Sequence, residues 1–199
     1  MPFVFKRLAL FMSIAAAFAA DKVTPFRPGP AGSYPHHQVN EQVTIGADPY
    51  TTSDKVKSAF GKLDPNEHGV LPVLVVIQND SSKTIRLDNL MARYVGPNGA
   101  RIEATPAKDV KYLQPPHRSA VIPGPAGKVK VLAAKKNPLT AWEIEGRAFS
   151  AQMLPPGQTA SGFFYFQTAL QRGATVYLNG LAEAGPGGKE LFYFEIPLE

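Results

Sequence analysis

The sequence predicts a mainly β protein, an antiparallel sandwich of 7–8 short strands, and three observations carry that prediction. Short apolar or alternating runs recur between clusters of turn-forming residues. Glycine and proline are abundant, 17 and 19 in 199 residues, without a collagen-like period. The spaces between strands leave little room for the crossover helices a parallel sheet requires. With 44% of residues hydrophobic and only 19% charged, the chain has enough apolar surface to build a core.

The N-terminal region reads as an address. Lys6 and Arg7 precede an apolar run over residues 8–18, and Ala17-Phe18-Ala19 forms a small-residue cleavage site. That order is a secretory signal peptide over 1–19, cut after Ala19. The run is too short for a spanning helix, and residues 70–77 are only strand-sized, so no transmembrane segment is expected after signal removal. The chain has no cysteine, which excludes disulfides, thiolate metal sites and a lipid-modified N-terminal cysteine. Export without disulfides suits a bacterial periplasm or the medium.

Residues 20–40 are rich in proline and glycine and read as a flexible lead-in to a domain over 41–199. Residues 43–45 begin the order as a strand. A short helix is expected over 51–61, with Ser53 as N-cap, Val56 and Phe60 four apart, and Gly61 as the stop. Residues 64–69 are turn formers. Residues 70–77 are nearly all branched aliphatics and predict a strand covered on both sides. Residues 84–95 alternate and then slip phase near Asn89, as a bulge within one long strand would. Residues 97–99 form a turn and 100–104 a return strand.

Residues 105–140 contain six prolines and no sustained alternation, and are expected to be a long, basic insertion. Strands resume at Trp142, where Trp142 and Ile144 alternate with Glu143 and Glu145. Pro155-Pro156-Gly157 suits a tight turn. Strands over 159–167, 174–181 and 189–197 follow, the last two joined by a turn at Gly185-Pro186-Gly187-Gly188. An immunoglobulin-like sandwich is favoured over a closed barrel, and a membrane barrel is disfavoured by the solidly apolar 73–77.

Two stretches, VLVVIQNDSSKTIRL over 73–87 and LPPGQTASGFFYF over 154–166, join an apolar strand to an Asn-x-Ser turn, and a Pro-Gly turn to an aromatic strand. The pattern resembles bacterial exported immunoglobulin-like (telokin-like) domains of unknown function. The resemblance implies a sandwich in an envelope or extracellular setting and carries over no catalytic residue.

Chemical motifs are weak. His36-His37, His68, His117 and Glu67 lack the spacing of a metal set and read as surface residues, so no metal or cofactor is expected. Ser161 lacks the first glycine of a nucleophile elbow. Gly187-Gly188-Lys189-Glu190 lacks both the upstream glycine and the Ser/Thr of a phosphate loop. Asn79-Asp80-Ser81 matches a glycosylation acceptor. Glu143 and Glu145, on one strand face, are the acid–base pair of an alternative reading as a carbohydrate-active or other hydrolytic protein.

Two surfaces carry the leading reading. Between Arg101 and Lys136 eight basic residues stand against two acidic ones, among them Lys108, Lys111, Arg118, Lys128, Lys130, Lys135 and Lys136, while the whole chain carries only +5. The charge is local and suits an anionic partner outside the cytoplasm rather than nucleic acid. Strand alternation also places Phe163, Tyr165, Tyr177 and Tyr193 on a face turned away from the core, provided their strands share a sheet. The expected function is a non-enzymatic binding or assembly module of the cell envelope. Its partner would be an envelope protein, an anionic polymer or a glycan, contacted through the aromatic face and the basic loop.

Overall fold

The computed structural model describes residues 26–113, 120–123, 129–132, 136–191 and 193–199. The expected signal peptide, His117, Arg118, Lys128 and Lys135 lie outside these residues. The described chain is mainly β, with antiparallel sheets and few, short helices.

The organising strand is β3 (Leu71–Asn79), whose residues are all buried except the half-buried Gln78. Alternation sends Leu71, Val73, Val75 and Ile77 into one apolar cluster and Leu74 and Val76 into another. The expected two-sided cover is therefore real. On one flank β3 pairs with β2 (Val43–Pro49), which pairs with the edge strand β1 (His37–Asn40); on the other it pairs with β10 (Thr159–Phe166).

A second four-stranded sheet runs in the order β13 (Phe194–Pro197), β11 (Thr175–Asn179), β5 (Met91–Val95), β6 (Arg101–Glu103). Its alternate residues Ala92, Tyr94, Val176, Leu178, Phe194 and Ile196 join the first cluster, so both sheets build one core. The Tyr94 hydroxyl accepts from the Gln171 N–H at 3.0 Å and lies 3.4 Å from the Ala169 carbonyl, holding the loop that leads into β11. A small sheet of β12 (Ala182–Glu183), β4 (Ile85–Arg86) and β9 (Met153–Leu154) adds to the same cluster through Ile85 and Leu154. Strands β7 (Ala120–Pro123) and β8 (Val129–Leu132) form a separate two-stranded ribbon.

The second cluster lies on the other face of β3 and β10. Helix α1 (Ser53–Phe60) contributes Val56 and Phe60, as its four-residue spacing predicts, and Gly61 ends it at φ 65°. Helices α2 (Ala107–Val110) and α3 (Trp142–Gly146) contribute Val110 and Ile144, and Leu139 and Phe26 complete the cover.

Several expectations need correction. Among the described residues there are eleven strands in three sheets, plus the ribbon, where 7–8 were expected. The phase slip near Asn89 is a change of sheet: β4 and β5 belong to different sheets, with a turn between them where the Leu90 N–H reaches the Leu87 carbonyl at 3.0 Å. Residues 26–40 of the lead-in are placed against the domain. Gly46 opposes Ala31, where an added Cβ would meet the Ala31 carbonyl at 2.5 Å, and β1 is hydrogen-bonded into the sheet. The run at Trp142 is a helix rather than a strand; the two-residue alternation of Trp142 and Ile144 arises because one turn of α3 buries Ile144 alone and leaves Trp142 68% exposed. The insertion is more than a loop, because α2 and a 3-10 turn at Pro138–Thr140 bring its two ends onto the second cluster.

The two stretches that carry the family resemblance meet at Asn79, which is completely buried. Its Nδ2 donates to the carbonyls of Lys83 and Leu154, both at 2.8 Å, while its Oδ1 accepts from the Ser81 hydroxyl at 2.6 Å and the Ser81 N–H at 3.1 Å. Its main chain binds Gln158 and Gly157 across the second turn. The side chain is consumed by these bonds and does not present itself for glycosylation.

Candidate functional site

The sequence-selected aromatic residues divide between two places. Phe163 and Tyr165 are 1% exposed, on the face of β10 that α1, α3 and Phe26 cover. The Phe163 ring lies 4.8 Å from those of Tyr50 and Phe60, and the Tyr165 hydroxyl donates to the Ile144 carbonyl at 2.7 Å. Burial raises the pKa of both Tyr50 and Tyr165 above the ordinary phenol value, because the phenolate would be stripped of water. These two aromatics are core residues, and the premise that the three strands share one sheet does not hold. The cover was not apparent in the sequence because it is assembled from short, non-contiguous helices.

Tyr177 and Tyr193 are together and outside. Tyr177 sits on β11 between Arg93 of β5 and Glu195 of β13, its cross-strand partners, on the face of the second sheet opposite Val176 and Leu178. Tyr193, 51% exposed, stacks on Tyr177 with ring centroids 5.1 Å apart and planes 24° from parallel. Around the pair, Arg93, Val95, Arg101 and Glu195 line a shallow depression of about 290 Å³. Arg93 Nε is 3.4 Å from Glu103 Oε1, and the Thr175 hydroxyl lies 3.3 Å from Glu195 Oε1. Arg101 has no ion-pair partner among the described residues. The result is a flat aromatic shelf fringed by groups that donate and accept hydrogen bonds. Arg93 also borders a neighbouring groove of about 270 Å³, walled by the stacked Phe149 and Phe164 rings, 5.4 Å apart.

Among the described residues, no lysine of the insertion lines this shelf. Lys108 and Lys136 are exposed. Lys111 lies 3.9 Å from Glu145 and 5.4 Å over its neighbour Tyr112, beside α3 on the helical side of the molecule. Lys130 is on β8, and Arg118, Lys128 and Lys135 lie outside the described residues.

The acidic pair of the alternative reading is also separated. Two residues apart on a helix are about 200° apart around its axis, so Glu143 and Glu145 do not share a face. Ser161 is exposed on β10, and no described residue hydrogen-bonds its hydroxyl. The Gly185–Gly188 segment is a turn closed by Gly188 N–H to Gly185 carbonyl at 3.1 Å. His37 Nδ1 lies 2.8 Å from the Tyr34 carbonyl. No group of three or more metal-ligating side chains occurs among the described residues, and no helix among them is long and apolar enough to cross a membrane.

No protein-family model matches the sequence, and no curated protein matches it. Among solved structures the chain is similar to the yjhA protein from Bacillus subtilis, at 10% identity over 73% of this chain and 78% of that one, with a TM-score of 0.35. It is also similar to a candidate lipoprotein of that organism, ycdA, at 10% identity and a TM-score of 0.37, over 85% of this chain and 39% of that one. A candidate ApaA protein from Bordetella pertussis aligns at 12% identity over 83% of this chain and 91% of that one, with a TM-score of 0.33. The chain thus spans about two fifths of the length of ycdA. No residue role is carried over from any of the three.

Proposed function

We propose that this chain is an exported, non-enzymatic binding module of the bacterial cell envelope, and that it engages a glycan segment on the outer face of its second sheet. The observation that carries this reading is the Tyr177–Tyr193 stack, held open to solvent among Arg93, Arg101 and Glu195. Flat ring surfaces pack against the C–H faces of sugars, and the surrounding guanidinium and carboxylate groups suit a polyhydroxylated ligand. An exposed aromatic pair on an otherwise ordered sheet is an unusual use of surface. The reading includes a signal peptide over 1–19 and an immunoglobulin-like sandwich of the two larger sheets. Their shared core supports the second of these.

The test is binding of the purified chain to isolated envelope glycans and to a glycan array, compared with Tyr177→Ala and Tyr193→Ala. Each ring is on the solvent side of the sheet, so both variants should keep the wild-type melting temperature within a few degrees. Each should weaken glycan retention by about tenfold or more. Retention unchanged in both variants, or no glycan retained by the wild type, would refute the proposal.

A further inference from the structure

A second site lies away from the shelf, where Arg147 follows α3. Its main chain is fixed on both sides: its N–H reaches the Glu143 carbonyl at 3.2 Å and its carbonyl accepts from the Phe163 N–H at 2.9 Å. The guanidinium carbon is 4.9 Å from the centroid of the Phe26 ring and 5.9 Å from that of Trp142. Nε is buried without a hydrogen-bond partner among the described residues, and no described carboxylate pairs with the side chain. Arg147 also borders a cavity of about 240 Å³ that Phe26, Ser150, Ser161 and Gly162 help to line. Neither serine hydroxyl bonds to a described residue, and no acidic residue is in the lining among the described residues.

We propose that this cavity binds a carboxylate carried on a planar apolar group, with Arg147 as the charge partner and the Ser150 and Ser161 hydroxyls as auxiliary donors. A guanidinium is a planar fork that matches a carboxylate in geometry as well as charge. Leaving one of its donors without an acceptor is costly, and native proteins rarely do so without a reason. Among the described residues Arg147 is the one ionised group in the lining and no carboxylate pairs with it, which favours an anion. The Phe26 ring beside the guanidinium supplies the surface for a flat apolar body. Because Nε is covered, engagement of the fork requires part of its aromatic surround to shift. Trp142, 68% exposed, is the part placed to move.

Trp142 is the single tryptophan of the chain, so its fluorescence reports at the site. The experiment titrates the full chain with sodium benzoate up to about 10 mM, a range that detects a weak complex. Trp142 emission is followed together with the Arg147 Nε–H resonance by NMR, with sodium acetate and inorganic phosphate as parallel probes. The expected result is a saturable change in both signals with benzoate, at least about tenfold weaker with acetate and with phosphate. Arg147→Gln should abolish it. Should that variant fail to fold, Ser150→Ala/Ser161→Ala keeps the guanidinium and should weaken benzoate severalfold. No saturable response to benzoate, an unmoved Nε–H resonance, or equal affinity for acetate or phosphate would each overturn the proposal. Tyr177→Ala should leave benzoate binding unchanged, so this test and that of the aromatic shelf succeed or fail separately.

Discussion

Asn79 shows how one buried polar side chain can specify a fold. Three of its side-chain bonds hold the turn after β3 together, and the fourth, to Leu154, joins two main-chain bonds in tying that turn to the one before β10, about 75 residues away in sequence. Replacing it with alanine would take the donor from the buried Leu154 carbonyl and undo the turn after β3, where the Lys83 carbonyl would keep only the Ser81 hydroxyl. Asn79→Ala should therefore lose about 2–4 kcal/mol, and chemical denaturation should show the loss as a lower midpoint with an unchanged slope. A loss below about 0.5 kcal/mol would mean the turns hold each other without it. The sequence exposed the Asn-x-Ser pattern, but not its role, because a side chain's long-range partners leave no local period. Gly162 is a parallel case: an added Cβ would sit 2.3 Å from Phe149 Cα, a close approach that nothing in the local sequence signals. Arg147 was invisible for the same reason, since its environment comes from Phe26, α3 and β10.

Secondary elements were readable in proportion to how much of their period survives. β3 announced itself because two-sided burial leaves an unbroken apolar run. α1 was readable from its Val56–Phe60 spacing and Gly61. β11 kept strict alternation, which is why Tyr177 could be placed outside without coordinates, whereas Tyr193 lies just ahead of β13 and the alternation expected from 189 breaks at the buried Leu191. α2 and α3 span only 4 and 5 residues, less than two turns, too short for a helical period to form. Yet they and Leu139 cover Phe163 and Tyr165, so the insertion is part of the structure at its ends. Those ends approach one another, since Asn137 Nδ2 donates to the Lys111 carbonyl at 2.6 Å. Replacing residues 114–135 by a short Gly/Ser linker should leave the melting temperature within a few degrees, whereas removing residues 105–140 should unfold the second cluster. Thermal melts of the two variants decide it. Equal stability of both would show that α2 and Leu139 contribute nothing, and equal collapse would show that 114–135 belongs to the fold.

The arrangement of two apolar clusters on the two faces of one sheet has a consequence for how stability depends on pH. The second cluster buries two phenols, Tyr50 and Tyr165, and burial raises both pKa values in the folded state. Unfolding returns them to water, where the ordinary value is 10.0. Below pH 10 the phenols are neutral in both states and the stability they share in is fully present. Above it the unfolded chain releases protons that the folded chain retains, so stability falls as pH rises. The melting temperature should be nearly level between about pH 7 and 9 and should decline steeply above about pH 10. Tyr165→Phe separates this effect from general alkaline damage. The variant loses the 2.7 Å bond to Ile144, costing about 1–2 kcal/mol at neutral pH, and should then decline less steeply than the wild type above pH 10, because one of the suppressed ionisations is gone. Curves that fall in parallel would show that Tyr165 ionisation does not govern the alkaline limit. Convergence of the two curves with rising pH would place that limit in the aromatic cluster between the helices and the first sheet.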